Sequence, residues 1–303
     1  MAEAIEIVGA GKRPLWRRIV NFPLVAMVIG VVVFLFGIMV AGILAKLVVP
    51  PVPGFSLDMK VYALAVLFLI LLYPFVIAKL GDPKRNDFRD SKWLRHLLMG
   101  LVGGTLIFSL AVAIAGAVGI YRIVGVGSLN GLLAALIVPT IGAAVTEEML
   151  FRGILFRWLE QFGGSWAALL LTSAFFGASH LSNPNASWIA AVGIAFEAGV
   201  MLGAAYMLTR SLWLPIGLHA AWNFTQGEIF DIPVSGTSVH GVLDARLAGS
   251  PLLTGNGFGL EASPIAIVVA TAFGVWLLWL AVKRGQVVAP MWVRPRRLSA
   301  AAG

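Results

Sequence analysis

The run FPLVAMVIGVVVFLFGIMVAGILAKL, from Phe22 to Leu47, decides the class of this chain. It carries no charge before Lys46. At about 1.5 Å of rise per residue it crosses the roughly 30 Å hydrocarbon core of a bilayer as a helix. It is too long for the apolar part of a signal peptide, and it ends at Pro50 and Pro51. Lys12, Arg13, Arg17 and Arg18 precede it. It therefore reads as a first transmembrane anchor with its basic flank inside.

Further apolar runs follow at about 60–79, 94–119, 130–159, 164–181, 187–208, 212–228 and 263–282. The 303 residues are 59% hydrophobic and 12% charged, whereas a soluble domain is nearer half and a quarter. Lipid is thus the solvent for most of the chain. With the N-terminus inside, only Lys46, Lys60, Arg122 and Arg246 of the 22 basic residues fall on the outer side, the asymmetry expected of cytoplasmic loops. The expectation is an all-α, polytopic transmembrane helical bundle of about eight spans with both termini cytoplasmic. It comprises a basic segment 1–21, a transmembrane domain 22–282 with its polar core at about 140–225 and a long outer loop 228–262, and a basic tail 283–303. The Gly-, Ser- and Pro-rich loop reads as a lid, a binding segment or disorder. A multi-pass protein of a prokaryotic plasma membrane, in contact with membrane lipids, is the matching location.

The net charge of +8 does not indicate nucleic acid, because the basic residues are dispersed in short clusters beside apolar runs. No cysteine is present, which excludes disulfides and thiolate chemistry.

Charged side chains inside lipid are rare and mark function. Three constellations stand out. In TEEMLFRG, Glu148 and Arg152 are four apart on one helix face, in the favourable order for an ion pair. Glu147 points about 100° away and is left as the carboxylate free for proton transfer. In FFGASH, Phe176 precedes His180 by one turn. In HAAWN, His219 and Asn223 share a face, so that face looks into a cavity or a partner helix. Glu147 and His180 flank a turn near Gly163 and Gly164, each about 24 Å from it, and so stand level on antiparallel helices. His219 lies only about 14 Å beyond its own turn near Arg210. It joins the others if the hairpins are offset by roughly 10 Å, as a cytosolic, amphipathic helix end bearing Arg152, Arg157 and Glu160 would allow. Glu197 also falls mid-span. His96 and His240 lie in juxtamembrane and loop segments and read as solvated.

The ordered motifs EExxxR, FxxxH and HxxxN resemble those of the CPBP family of intramembrane proteases, which includes CAAX prenyl endopeptidases and bacteriocin self-immunity proteins. Here they read Glu147-Glu148-Met-Leu-Phe-Arg152, Phe176-Gly-Ala-Ser-His180 and His219-Ala-Ala-Trp-Asn223. The likeness covers about residues 140–225. It implies a glutamate-type endopeptidase acting on a peptide or lipid-modified protein substrate, such as a prenylated C-terminal peptide. It further implies that Glu147 and His180 activate water, that His219 and Asn223 stabilise the oxyanion, and that Glu148 and Arg152 hold the site in shape. Glu197 lies outside that signature. No cofactor is expected. A zinc ion on Glu147, His180 and His219 is the alternative, and a non-catalytic binding or immunity protein is the reading from another class.

Overall fold

The computed structural model describes residues 14–50, 55–81, 84–128 and 130–294. Lys12, Arg13, Arg296 and Arg297, and with them most of the basic segment 1–21 and the end of the tail, lie outside the described residues. The helical rods are α1 (Pro23–Leu47), α2 (Leu57–Lys79), α3 (Trp93–Ala117), α4 (132–163), α5 (165–182), α6 (Trp188–Thr209), α7 (213–229) and α8 (Pro264–Lys283). Among the described residues six helical stretches are long and apolar enough to cross a membrane by length and composition. They are α1, α2, α3, the continuous pair Leu132–Ser182, α6 and α8, and α7 is shorter. The pair is two rods, because Gly164 leaves the helical region at φ 83°, ψ 169°, a conformation open to glycine. Local chemistry sets other ends. Ser56, Ser187 and Ser263 each accept from a backbone N–H in the first turn of α2, α6 and α8.

The rods turn their bulk outward. On α1 the buried face is Ala26, Gly30, Phe34, Gly37, Ala41 and Ala45, whereas Leu35 and Phe36 stand exposed. On α8, Ala266, Ala270, Gly274 and Ala281 are buried while Val275 and Trp276 face out. Lipid is as apolar as leucine, so such helices associate through close packing of small residues. One such close approach is α3 on α7, where a Cβ on Gly104 would lie 2.4 Å from the Leu218 carbonyl oxygen.

Helix α7 is the buried axis of the bundle, with Leu214 through Asn223 all inside. The helices around it are irregular. Wider π-helical turns occupy Leu136–Gly142, Met149–Phe156, Ala195–Val200 and Thr225–Ile229. Such turns recur at functional sites, and the first contains Pro139, which cannot donate to a helical ladder.

One expectation is corrected. Arg152, Arg157 and Glu160 do not project into solvent; all three are buried. Arg157 pairs with Asp87 at 3.4 Å, and Glu160 pairs with Arg210. Asp87 also bonds Arg85 and the hydroxyls of Tyr73 and Tyr206, so the 84–92 segment closes that end of the bundle over its charges. The bundle is helical apart from one short two-stranded ribbon, and the 228–262 connection is ordered. Strand β1 (Tyr121–Val126) pairs antiparallel with β2 (Leu243–Leu247), Tyr121 opposite Leu247. Ile232, Val234, Phe258 and Leu260 are buried, and the Asp231 carboxylate accepts from the Gly241 and Ala245 N–H groups. These apolar anchors make the connection a packed cap.

Candidate active site

Glu148 is fully buried and shared. Its Oε1 accepts from Arg152 Nη1 at 2.8 Å and lies 2.9 Å from His219 Nδ1. Arg152, also buried, spends its other nitrogen on the carbonyls of Ala198 and Gly199 at 3.3 and 3.2 Å. Its guanidinium sits 4.7 Å from the centre of the Phe176 ring. One arginine therefore ties α4 to α5 and α6, and the planar fork suits that threefold duty better than a lysine ammonium.

Phe176 is the hub of the aromatic contacts. Its ring lies 4.9 Å from that of His180 and 6.2 Å from that of His219. The three motifs thus meet. His180 Nδ1 lies 2.7 Å from the Phe176 carbonyl oxygen. A carbonyl only accepts, so Nδ1 carries the hydrogen and Nε2 of the neutral ring is left as an acceptor. By the same logic the Glu148 carboxylate takes the Nδ1 hydrogen of His219 and fixes that ring's orientation. Asn223 Nδ2 donates to the Pro139 carbonyl at 2.6 Å, which leaves the amide's second N–H for another partner.

A cavity of about 30 Å³ opens among these groups, enough to admit water, one molecule of which needs roughly 10–15 Å³. Its wall includes Phe176, His180, His219 and Asn223. Glu147 is off this wall. It is half-buried, its Oε2 has no hydrogen-bond partner, and it lies within electrostatic range of Tyr62, Arg152 and His219. Among the described residues no three histidine, cysteine or acidic side chains converge as a bound metal requires, so Glu147, His180 and His219 do not fit the zinc alternative as they stand. His240 is exposed, and His96 bonds Asp90 at 2.5 Å; both are away from the cavity.

The structure adds residues that the motifs do not contain. Glu197, Ser235 and Glu261 also line the cavity. Glu197 is legible as an acid in a span. Glu261, in the cap segment GFGLEASP, signals itself only by standing three residues before Pro264 at the head of an apolar run.

Comparison with known proteins finds likenesses to this arrangement. Residues 128–225 match the family model described as type II CAAX prenyl endopeptidase Rce1-like. That likeness agrees with the resemblance carried by the three motifs. The chain is also 26% identical over 171 residues to the protein described as "Putative membrane peptidase YdiL" of Bacillus subtilis (strain 168), over 53% of this chain and 66% of that protein. The match thus spans just under two thirds of that relative's length. No solved structure matches the chain significantly. The Rce1-like region begins two residues before the first described residue of the α4 approach, Asn130, and ends at Thr225. It therefore takes in every residue of the three motifs, while Glu261 and the cap lie beyond it.

Proposed function

We propose that the chain is an intramembrane endopeptidase in which Glu147, aided by His180, activates a water that attacks the peptide carbonyl, while His219 and Asn223 stabilise the oxyanion. The observation that carries this reading is the small polar cavity walled by His180, His219 and Asn223 inside a bundle of membrane-length helices. His180 presents an unencumbered Nε2 toward a water, as a base or relay must. His219, oriented by Glu148, and the second N–H of Asn223 are donors in a water-poor site, where stabilisation of developing negative charge is strongest. Glu147 must swing onto the water, and its unpartnered Oε2 has no hydrogen bond to break in doing so.

A membrane-borne substrate suits the surroundings. A groove of about 490 Å³ runs along α5 and α6, lined by Trp166, Leu170, Ala178, Trp188, Phe196 and Val200 among others. Its size and apolar lining suit a lipid chain, as a prenylated peptide would carry. No step is routed through a metal. Cleavage that persists after exhaustive chelation, and that falls with His180→Ala and with Asn223→Ala, supports the mechanism. Cleavage that stops on chelation and returns with zinc overturns the metal-free version.

A further inference from the structure

Two acids on the cavity wall have no role in that mechanism. Glu197 comes from the π-helical turn of α6 and is 2% exposed, with its Oε2 unpartnered. Glu261 comes from the cap and is 4% exposed. Its carboxylate accepts from the Ser235 backbone N–H, and the Ser235 and Gln226 side chains lie beside it. The two acids interact electrostatically across the cavity they share with His180, His219 and Asn223. Arg152 bonds the carbonyls next to Glu197, but its charge is engaged by Glu148, and α8 carries no titratable group before Lys283. Two carboxyl groups in one desolvated cavity without a cation of their own do not both ionise cheaply. Glu261, held by the Ser235 N–H, is the first of the two to give up its proton. Glu197, with an oxygen left over, suits the acid form and has an O–H to give.

We propose that Glu197 is the catalytic acid of the reaction, poised by Glu261, and that it protonates the leaving amine so that the segment after the scissile bond lies toward the 230–262 cap. The inference rests on the peptidase reading above. As the water oxygen bonds the carbonyl carbon, its proton passes to Glu147. As the C–N bond breaks, the Glu197 O–H gives its proton to the nitrogen, releasing a carboxylic acid and a primary amine. The proton on Glu147 then returns to Glu197, and one water is consumed. The amine N–H groups are received by the carboxylate pair.

The test uses membranes from cells expressing wild type, Glu147→Gln, Glu197→Gln, Glu197→Asp or Glu261→Gln at matched levels. Peptide termini that appear with wild type are quantified over time between pH 5.5 and 9. Glu197→Gln is expected to slow their formation by about 10²–10⁴-fold and to abolish the fall in rate on the alkaline side. Glu197→Asp is expected to restore part of the rate and the alkaline fall, which a purely structural role would not move. Glu261→Gln is expected to shift the alkaline fall even if Glu197→Gln fails to accumulate. Wild-type rate and pH profile in both Gln variants, with termini abolished by Glu147→Gln, would overturn the proposal and leave the peptidase reading intact. Termini that survive Glu147→Gln overturn the peptidase reading, and the proposal with it.

Discussion

Replacing Arg152 by methionine tests the architecture of the site without a substrate. The guanidinium makes three hydrogen bonds, to Glu148, Ala198 and Gly199, and lies against the Phe176 ring. Removing it strands a fully buried carboxylate and two carbonyls. Breaking a buried ion pair by removing one partner costs about 3–5 kcal/mol, and each orphaned buried acceptor about 1–3 kcal/mol. His219 still serves Glu148, and wide π-helical turns can readjust, so the lower end of the combined range applies, about 5 kcal/mol. At roughly 2–4 °C per kcal/mol for a chain of comparable size, the apparent Tm of the purified protein in detergent falls by about 10 °C. In the double variant Glu148→Gln/Arg152→Met the stranded charge is gone, and the glutamine oxygen still accepts from His219. That variant recovers about 1–3 kcal/mol relative to additivity, read from a double-mutant cycle of denaturation midpoints. A wild-type Tm for Arg152→Met, or strict additivity in the cycle, would refute the view that this one arginine holds α4, α5 and α6 together around Glu148.

Other outcomes follow from single contacts. A Cβ on Gly177 would lie 2.1 Å from the Ala191 carbonyl oxygen, so Gly177→Ala should force α5 from α6, lower stability by about 1–3 kcal/mol or more and disturb His180 three residues on. Gly42→Ala, with nothing within 4 Å, is the matched control and should leave the Tm in place. Asn223→Ala is expected to cut turnover by about 10²–10³-fold, the usual scale for one oxyanion donor, in a rate assay on the substrate the wild type cleaves. Burial pushes the Glu261 carboxyl up to about 7, against the lowering effect of the Ser235 N–H. Below the ordinary glutamate range near 4.3 both folded and unfolded chains hold this proton, and between there and about 7 only the folded chain does. Stability from this group is therefore greatest at acid pH and declines as pH rises through that window; Glu261→Gln should flatten the slope of Tm between pH 5 and 8.

The sequence exposes the parts of this protein that composition and spacing govern. A run such as Phe22–Leu47 has one solution in lipid, and the i, i+4 pairs Glu148–Arg152 and His219–Asn223 declare their shared faces without any tertiary knowledge. The glycine pair at 163–164 likewise marks the turn that sets Glu147 and His180 on neighbouring rods. What the sequence hides is the pairing of distant charges. Arg157 and Glu160 look like a solvated helix end because their partners, Asp87 and Arg210, sit 70 and 50 residues away. The divergence of the two α4 acids is visible as an angle, but that Glu148 is shared with His219 depends on an offset between hairpins that only packing fixes. The cap is the extreme case. Its Gly-, Ser- and Pro-rich composition leaves a lid, a binding segment and disorder equally open, while four scattered apolar residues seat it and bring Glu261 to the cavity.

The central claim is that Glu147 performs hydrolysis inside this bundle. The measurement that bears on it most directly needs no prior substrate. Wild type and Glu147→Gln are expressed at equal levels in cells lacking the gene, both proteins are verified as folded in the membrane, and all new peptide termini are compared by mass spectrometry. The account predicts a set of termini present only with wild type, drawn from membrane-associated proteins. Identical sets would contradict it, and the Rce1-like core would then report ancestry and fold, with a binding or immunity role in place of catalysis.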